Sequence, residues 1–195
     1  MLFIIKLMEV FGLQFEIRWH GRGGQGVVTA SRLLAQAAMG EGKHVQAFPE
    51  FGPERTGAPI RGFTRISDER IRIHSQIYNP NMVVVLDPTL LGTIDVGYGL
   101  VDNGKLVVNT DLDSSDLNKK FEIKNAKTYT VDATRIALDI LGKPITNTAM
   151  LGAVVKAEPL IKLDSICKSV SERFHGAIGE KNVEAIKKAY EEVTE

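Results

Sequence analysis

Four glycines fall within six positions at Gly21-Arg22-Gly23-Gly24-Gln25-Gly26, directly after the strand-like run Phe15-Glu16-Ile17-Arg18-Trp19 and directly before the helix-like run Val27 to Met39. A strand that reverses through glycines straight into a helix constrains the chain to an α/β architecture, because such a turn needs positive φ and close backbone approach without Cβ atoms. It also lets several backbone N–H groups converge at a helix N-terminus, where an anion is favoured.

The rest of the chain repeats that alternation. Period and punctuation predict strands at Gln14 to His20, His44 to Phe48, Ile60 to Ile66, Ile71 to His74, Met82 to Leu86, Lys105 to Asn109 and Lys127 to Val131. Met82-Val83-Val84-Val85-Leu86 and Leu106-Val107-Val108 are apolar on both faces, as in strands covered on both sides of a parallel sheet. The first helix carries Val27, Ala30, Leu34 and Ala37 on one stripe. Asp132 suits the N-cap of a helix with Ala133, Ile136, Ala137, Ile140 and Leu141 inward, and further helices fit Thr148 to Lys156, Ser165 to Phe174 and Asn182 to Val193. These elements imply one three-layer α/β/α domain with a largely parallel or mixed sheet and a helical C-terminal part.

The glycine segment satisfies G-x-G-x-x-G, so binding of NAD or FAD by a free-standing dehydrogenase is one reading. That reading also wants an acid about 20 residues on, at the end of the second strand. Glu41 falls in the turn after the helix, and Glu50 sits inside a proline-rich loop. No Gly-Lys-Ser or Gly-Lys-Thr closes the turn as a Walker loop requires. Arg22 and Gln25 are long polar side chains at such a turn and suit a phosphate, or a carboxylate from another chain. The glycines could also serve only the tight reversal. Several strands end in polar residues, among them Asp87-Pro88-Thr89, Asn109-Thr110-Asp111 and Asp132. In an open α/β sheet ligands sit outside those carboxyl ends, although Asp87 and Asp132 serve equally as helix caps.

The second unusual segment is Phe48-Pro49-Glu50-Phe51-Gly52-Pro53-Glu54-Arg55-Thr56-Gly57-Ala58-Pro59, stiffened by three prolines and edged by aromatics and charges. It reads as a subunit interface, with Phe48 and Phe51 as anchors and Glu50, Glu54 and Arg55 setting register. A self-packed loop with internal ion pairs is the alternative.

Composition removes other classes of function. Lysine plus arginine and aspartate plus glutamate balance at 24 each, so no broad field draws the chain to nucleic acid or to an anionic membrane. In Met1 to Phe11, Lys6 and Glu9 interrupt the apolar run and no small-residue cleavage site follows, which fits an N-terminal extension over residues 1–13, or an upstream start before Met8. The single cysteine, Cys167, lies on an amphipathic helix and cannot by itself hold an iron–sulfur cluster, which needs about four thiolates. His20, His44, His74 and His175 show no metal-ligand spacing.

Several landmarks occur in one order: Arg18 to Ala30 around the glycine turn, Val45 to Pro59, Val85-Leu86-Asp87-Pro88-Thr89-Leu90-Leu91, Val108-Asn109-Thr110, and Pro144-Ile145-Thr146-Asn147-Thr148-Ala149-Met150-Leu151-Gly152-Ala153. Together they resemble the gamma subunit of pyruvate (2-oxoacid) ferredoxin oxidoreductase. The resemblance implies one gamma-type domain over residues 1–195, in a cytoplasmic complex with alpha, beta and delta subunits. That complex would decarboxylate a 2-oxoacid oxidatively, make acyl-coenzyme A and reduce ferredoxin. Thiamine diphosphate, magnesium and iron–sulfur clusters would belong to the other subunits, and this chain would be inactive alone. It implies a gamma chain packed against the thiamine-binding subunits, near the coenzyme A path. On that basis Arg22, Gly23, Gly24, Gln25, Gly26 and Arg55 are candidates to meet the coenzyme A phosphates, and Phe48, Glu50, Phe51 and Glu54 candidates for the interface. Which 2-oxoacid is used, and in which direction the reaction runs, stays open.

Overall fold

The computed structural model describes residues 14–50, 56–123 and 125–195. The expected N-terminal extension, together with Phe51, Glu54 and Arg55, lies outside the described residues.

In chain order the elements are β1 (Gln14–Arg22), α1 (Val27–Gly40), β2 (His44–Pro49), β3 (Pro59–Ser67), β4 (Met82–Val85), a short 3-10 turn (Pro88–Leu90), β5 (Gly104–Asn109), α2 (Ser114–Lys120), β6 (Ala126–Val131), α3 (Ala133–Leu141), α4 (Asn147–Ala157), α5 (Leu163–Arg173) and α6 (Gly176–Glu192). One six-stranded sheet has the order β2-β3-β1-β4-β5-β6. Strands β1, β4, β5 and β6 run parallel, whereas β3 is antiparallel to both β1 and β2. The sheet is therefore mixed, and β1 is the seam between its two halves. Chain connections lead away from β1 in opposite directions on its two sides, which makes the carboxyl ends of β1 and β4 the crevice where an α/β sheet accepts a ligand.

The two-faced strands behave as their sequences require. Met82, Val84 and Val107 face the larger core with α1, α3, α4, α5 and α6, while Val83, Val85, Leu106 and Val108 face a smaller one with Leu90, Val96 and Leu117 of α2. Among the described residues, five helices thus cover one face and a short helix with loops covers the other. Helix α4 is buried along almost its whole length, which its apolar sequence allows. Gly152 permits this: a Cβ there would lie 2.0 Å from the Ile186 carbonyl oxygen of α6. Asp132 caps α3 by accepting from Arg135 N at 2.8 Å, as its position suggests. Cys167 is buried on α5, and burial pushes its thiol pKa up. Among the described residues no helix is long and apolar enough to cross a membrane.

Ile71 to His74, with the alternation of a strand, joins no sheet among the described residues. The positions beside β3 are taken by β1 and β2. The segment instead crosses the face of β2 and β3, tethered where Gln46 donates to the Ile73 carbonyl at 2.8 Å and Arg65 to the Gln76 carbonyl at 3.2 Å. Helix α6 begins at Gly176, ahead of the expected Asn182. Helix α2 and the 3-10 turn, too short to leave a periodic signal, were not expected from sequence.

Candidate functional site

Strand β1 delivers Gly21 and Arg22 to the seam, and the turn that follows reaches α1 at Gly26, whose φ is 79°. Gly24 also has positive φ, at 98°. Gly26 is required twice over, since a Cβ there would meet Asn147 Nδ2 at 2.3 Å. Asn147, buried at the start of α4, thereby backs the turn from behind. Two strand pairings hold the turn against the end of the proline-rich loop: Gly23 N donates to Ala58 O at 2.9 Å and Gly57 N to Gly23 O at 3.1 Å.

Asp87, at the end of β4, organises the polar side. Its Oδ2 accepts from Arg22 Nε at 3.2 Å and Gln25 Nε2 at 2.8 Å, and its Oδ1 accepts from Thr89 N at 3.0 Å and Thr89 Oγ1 at 2.6 Å. Burial works to raise the Asp87 carboxyl pKa, but the bonds from Thr89 and Gln25 and the charge of Arg22 outweigh it and hold the carboxyl below its ordinary value. Gln25 Oε1 closes the ring by accepting from Arg22 N at 2.7 Å. Arg22 donates further to Gly57 O at 3.2 Å and to Thr89 Oγ1 at 2.9 Å. Each guanidinium nitrogen is thus engaged within the chain, and Arg22 is a positioned, partly exposed cation already paired with a carboxylate. Asn109, at the end of β5, donates to Leu86 O at 2.8 Å and to Thr134 Oγ1 at 2.9 Å, stitching β4 to β5 and to α3.

What this leaves open is backbone. Gly23 spends its N–H on Ala58 O and Gln25 its own on Arg22 O, whereas those of Gly24 and Gly26 meet no acceptor among the described residues. With the first-turn amides of α1 they border a cavity of about 430 Å³ lined by Gly23, Gly24, Gly26, Val27, Val28, Thr56 and Ile60. Free amides at the N-terminus of a fourteen-residue helix favour a phosphate or carboxylate there. The apolar side chains beside them can hold an adjoining apolar portion of a ligand.

The expected acid for a dinucleotide ribose is elsewhere. Glu41 follows the far end of α1 and accepts from Lys162 N at 2.7 Å. Glu50 forms an ion pair with Arg61, and the Phe48 ring packs on Phe63 at 5.2 Å with Arg65 over it at 5.6 Å. Of the sequence candidates, the structure brings Arg22, Gly23, Gly24, Gln25 and Gly26 together, and sets Phe48 and Glu50 on the neighbouring β2 and β3 face. Asn147 was missed as a site residue; its only signal was its place in the Pro144 to Ala153 landmark.

On the other side of β1 lies a buried basic pair. Arg18 Nε donates to His20 Nε2 at 3.0 Å, and Arg18 reaches the Val96 and Tyr98 carbonyls as well. His20 Nδ1 is buried without a hydrogen-bond partner among the described residues. Burial first, then the positive charges of Arg18 and Arg61, push the His20 pKa down to about 3. The ring is therefore neutral at physiological pH, with its proton on Nδ1 because Nε2 accepts. Among the described residues no group of three or more His, Cys, Asp or Glu is placed to hold a metal ion.

Residues 16–192 match the family described as pyruvate ferredoxin/flavodoxin oxidoreductase. The chain belongs to the pyruvate ferredoxin/flavodoxin oxidoreductase family. Among curated relatives, the pyruvate/ketoisovalerate oxidoreductases common subunit gamma of Thermococcus kodakarensis is 58% identical over 90% of this chain and 95% of its own. Among solved structures, the pyruvate oxidoreductase subunit PORC of Thermotoga maritima superposes with a TM-score of 0.84 at 46% identity, covering 93% of this chain and 97% of that one. The 2-oxoglutarate:ferredoxin oxidoreductase of Magnetococcus marinus shares the fold, with a TM-score of 0.74 at 17% identity over 90% of this chain and 30% of that longer one. The glycine turn, Asp87 and Asn147 therefore sit within a fold used by pyruvate ferredoxin/flavodoxin oxidoreductases, and none of these relatives favours a stand-alone dinucleotide dehydrogenase.

Proposed function

We propose that this chain is the gamma subunit of a hetero-oligomeric 2-oxoacid:ferredoxin oxidoreductase, with pyruvate as the favoured 2-oxoacid. The complex oxidatively decarboxylates its substrate with coenzyme A, giving acyl-coenzyme A, carbon dioxide and reduced ferredoxin. Support comes from family membership and from relatives named as gamma or PorC subunits that match nearly the full chain. Companion alpha, beta and delta subunits carry the thiamine diphosphate, magnesium and iron–sulfur clusters, which supply carbanion stabilisation and electron transfer. The working compartment is the cytoplasm.

The part assigned to this chain is assembly and the binding of coenzyme A. The observation that carries it is the pair of unclaimed N–H groups, on Gly24 and Gly26, opening onto the cavity at the seam. A coenzyme A phosphate accepts from those amides, while Arg22, fixed by Asp87, Thr89 and Gln25, adds a positive charge at the rim. Arg55 serves the same phosphates in this reading. The stretch from Phe48 to Pro59 faces a companion subunit, with Phe51 and Glu54 making contact and Phe48 and Glu50 bracing it through Phe63 and Arg61.

Compared with Gly24→Asn, which carries the same backbone strain at φ 98° without the charge, Gly24→Asp places a carboxylate in front of the open amides, where an added Cβ meets nothing within 4 Å among the described residues. In the assembled complex this variant should raise the KM for coenzyme A about tenfold or more, equivalent to about 1.4 kcal/mol, with kcat at saturating coenzyme A largely kept. An unchanged KM refutes the phosphate site. Isolation of the native protein as a lone chain that reduces a nicotinamide refutes the subunit assignment itself.

A further inference from the structure

We propose that the segment from Arg70 to Asn79 is a docking strand for an acidic, extended segment of a companion subunit, with Tyr78 and Tyr98 as its aromatic anchors. The inference rests on the subunit reading above and concerns a surface separate from the glycine turn.

Arg70-Ile71-Arg72-Ile73-His74 alternates polar residue and isoleucine, the pattern of a strand with one wet and one covered face. The chain across this stretch is irregular and unpaired. Its attachments are made through carbonyls, Ile73 O to Gln46 and Gln76 O to Arg65, and through the buried side chain of Ile77. None of the N–H groups from Arg70 to Asn79 donates to an acceptor among the described residues. In an extended segment alternate N–H groups point to the same edge, so every second one of these unclaimed donors is available to a ladder whose other half an extended peptide supplies.

Charge and side chains narrow the occupant. No carboxylate occurs from Arg70 to Asn79, and neither Arg70 nor Arg72 has an ion-pair partner among the described residues. The neighbouring arginines on the sheet differ, since Arg61 is paired with Glu50 and Arg65 with Glu16. Glu69, adjacent in sequence, offsets one of these charges, and the excess positive charge of the segment selects an acidic partner. On the same segment Ile73 is 37% and Tyr78 62% exposed, and Tyr98 is 71% exposed. The two tyrosines are held close together, because Gly99 packs against the Tyr78 carbonyl so tightly that a Cβ would lie 2.2 Å from it. Arg18 fixes the second tyrosine's backbone by donating to the Tyr98 carbonyl. Exposed tyrosines together with arginines lacking an ion-pair partner among the described residues have the composition of an interface centre.

Hydrogen exchange measured on the full chain alone and in the assembled complex tests this directly. The Arg70 to Asn79 amides should exchange about tenfold or more slowly on assembly. Arg70→Glu combined with Arg72→Glu should weaken assembly about tenfold at low salt, with the deficit shrinking at high salt, while the unfolding temperature of the free chain stays unchanged. If assembly protects other surfaces of this chain but leaves these amides as fast as in the free chain, the docking strand is refuted and the subunit reading survives. If the double variant assembles with wild-type affinity, the acidic occupant is refuted. If no companion assembles at all, the subunit reading falls and takes this inference with it.

Discussion

Replacing Gly26 by alanine probes the turn and its backing separately. An L side chain at the Gly26 φ of 79° carries a conformational penalty of about 1–2 kcal/mol. The new Cβ also meets Asn147 Nδ2 at 2.3 Å and Cγ at 2.9 Å, so the carboxamide must rotate away. Doing so breaks the bond from Thr148 N to Asn147 Oδ1, 2.9 Å long and buried, worth about 1 kcal/mol. Together these destabilise the domain by about 2–3 kcal/mol, a drop in Tm of roughly 4–12 °C for a chain of this size. The decisive assay is thermal or urea unfolding of the full chain in a double-mutant cycle with Asn147→Ala. In that background only the Asn147 Cβ remains, 3.2 Å from the added methyl. Backbone strain and changes in the unfolded state are common to both arms and cancel, leaving a coupling of about 1 kcal/mol between the two sites. A coupling within about 0.3 kcal/mol of zero, the usual error of additivity, refutes the claim that Asn147 makes glycine necessary there.

Protonation of His20 gives a second expectation. Its folded pKa of about 3 lies below the unfolded value near 6.5, so the unfolded chain binds the proton first. Stability is therefore complete above about pH 6.5 and is lost as pH falls, at about 1.4 kcal/mol per unit from this residue. Urea midpoints followed from about pH 7 to pH 5 should show that slope, and His20→Gln should flatten it; an unaltered slope in the variant refutes burial of a neutral ring. Gly152→Ala should lower stability by about 1–3 kcal/mol, because the Cβ would sit 2.0 Å from Ile186 O and force α4 from α6. Gly40→Ala, with nothing within 4 Å, is the control and should be neutral or stabilising by denaturant unfolding; equal losses at both positions would refute the close-packing argument.

Much of the architecture was legible because it rests on local signals. Val83 and Val84 announce a strand covered on both sides, and the stripe through Val27, Ala30, Leu34 and Ala37 announces the inward face of α1; all are buried. Asp132 reads as a cap from its position alone, and it caps α3. What escaped depends on partners remote in sequence. Asp87 lies 65 residues from Arg22, so nothing local reveals that it absorbs the guanidinium expected to face a ligand. Asn147 shows its relation to Gly26 only when α4 is folded against the turn. The error at Ile71 to His74 has the same origin, because alternation reports a preference for extended backbone and is silent about whether a neighbouring strand has room. In this sheet β3 already has β1 and β2 on its two sides.

The outer edge of β6 is covered at one position by Thr194, whose N–H donates to Thr130 O at 3.1 Å while Thr130 N donates to Thr194 O at 2.9 Å. A ribosome making this polypeptide releases β6 ahead of α6 and Thr194, so the nascent sheet carries that flank bare until the last residues are made. A product cut short ahead of α6 keeps that flank and also bares the back of α4. Such fragments invite aggregation or proteolysis, and intact copies are favoured as candidates for incorporation into a larger assembly.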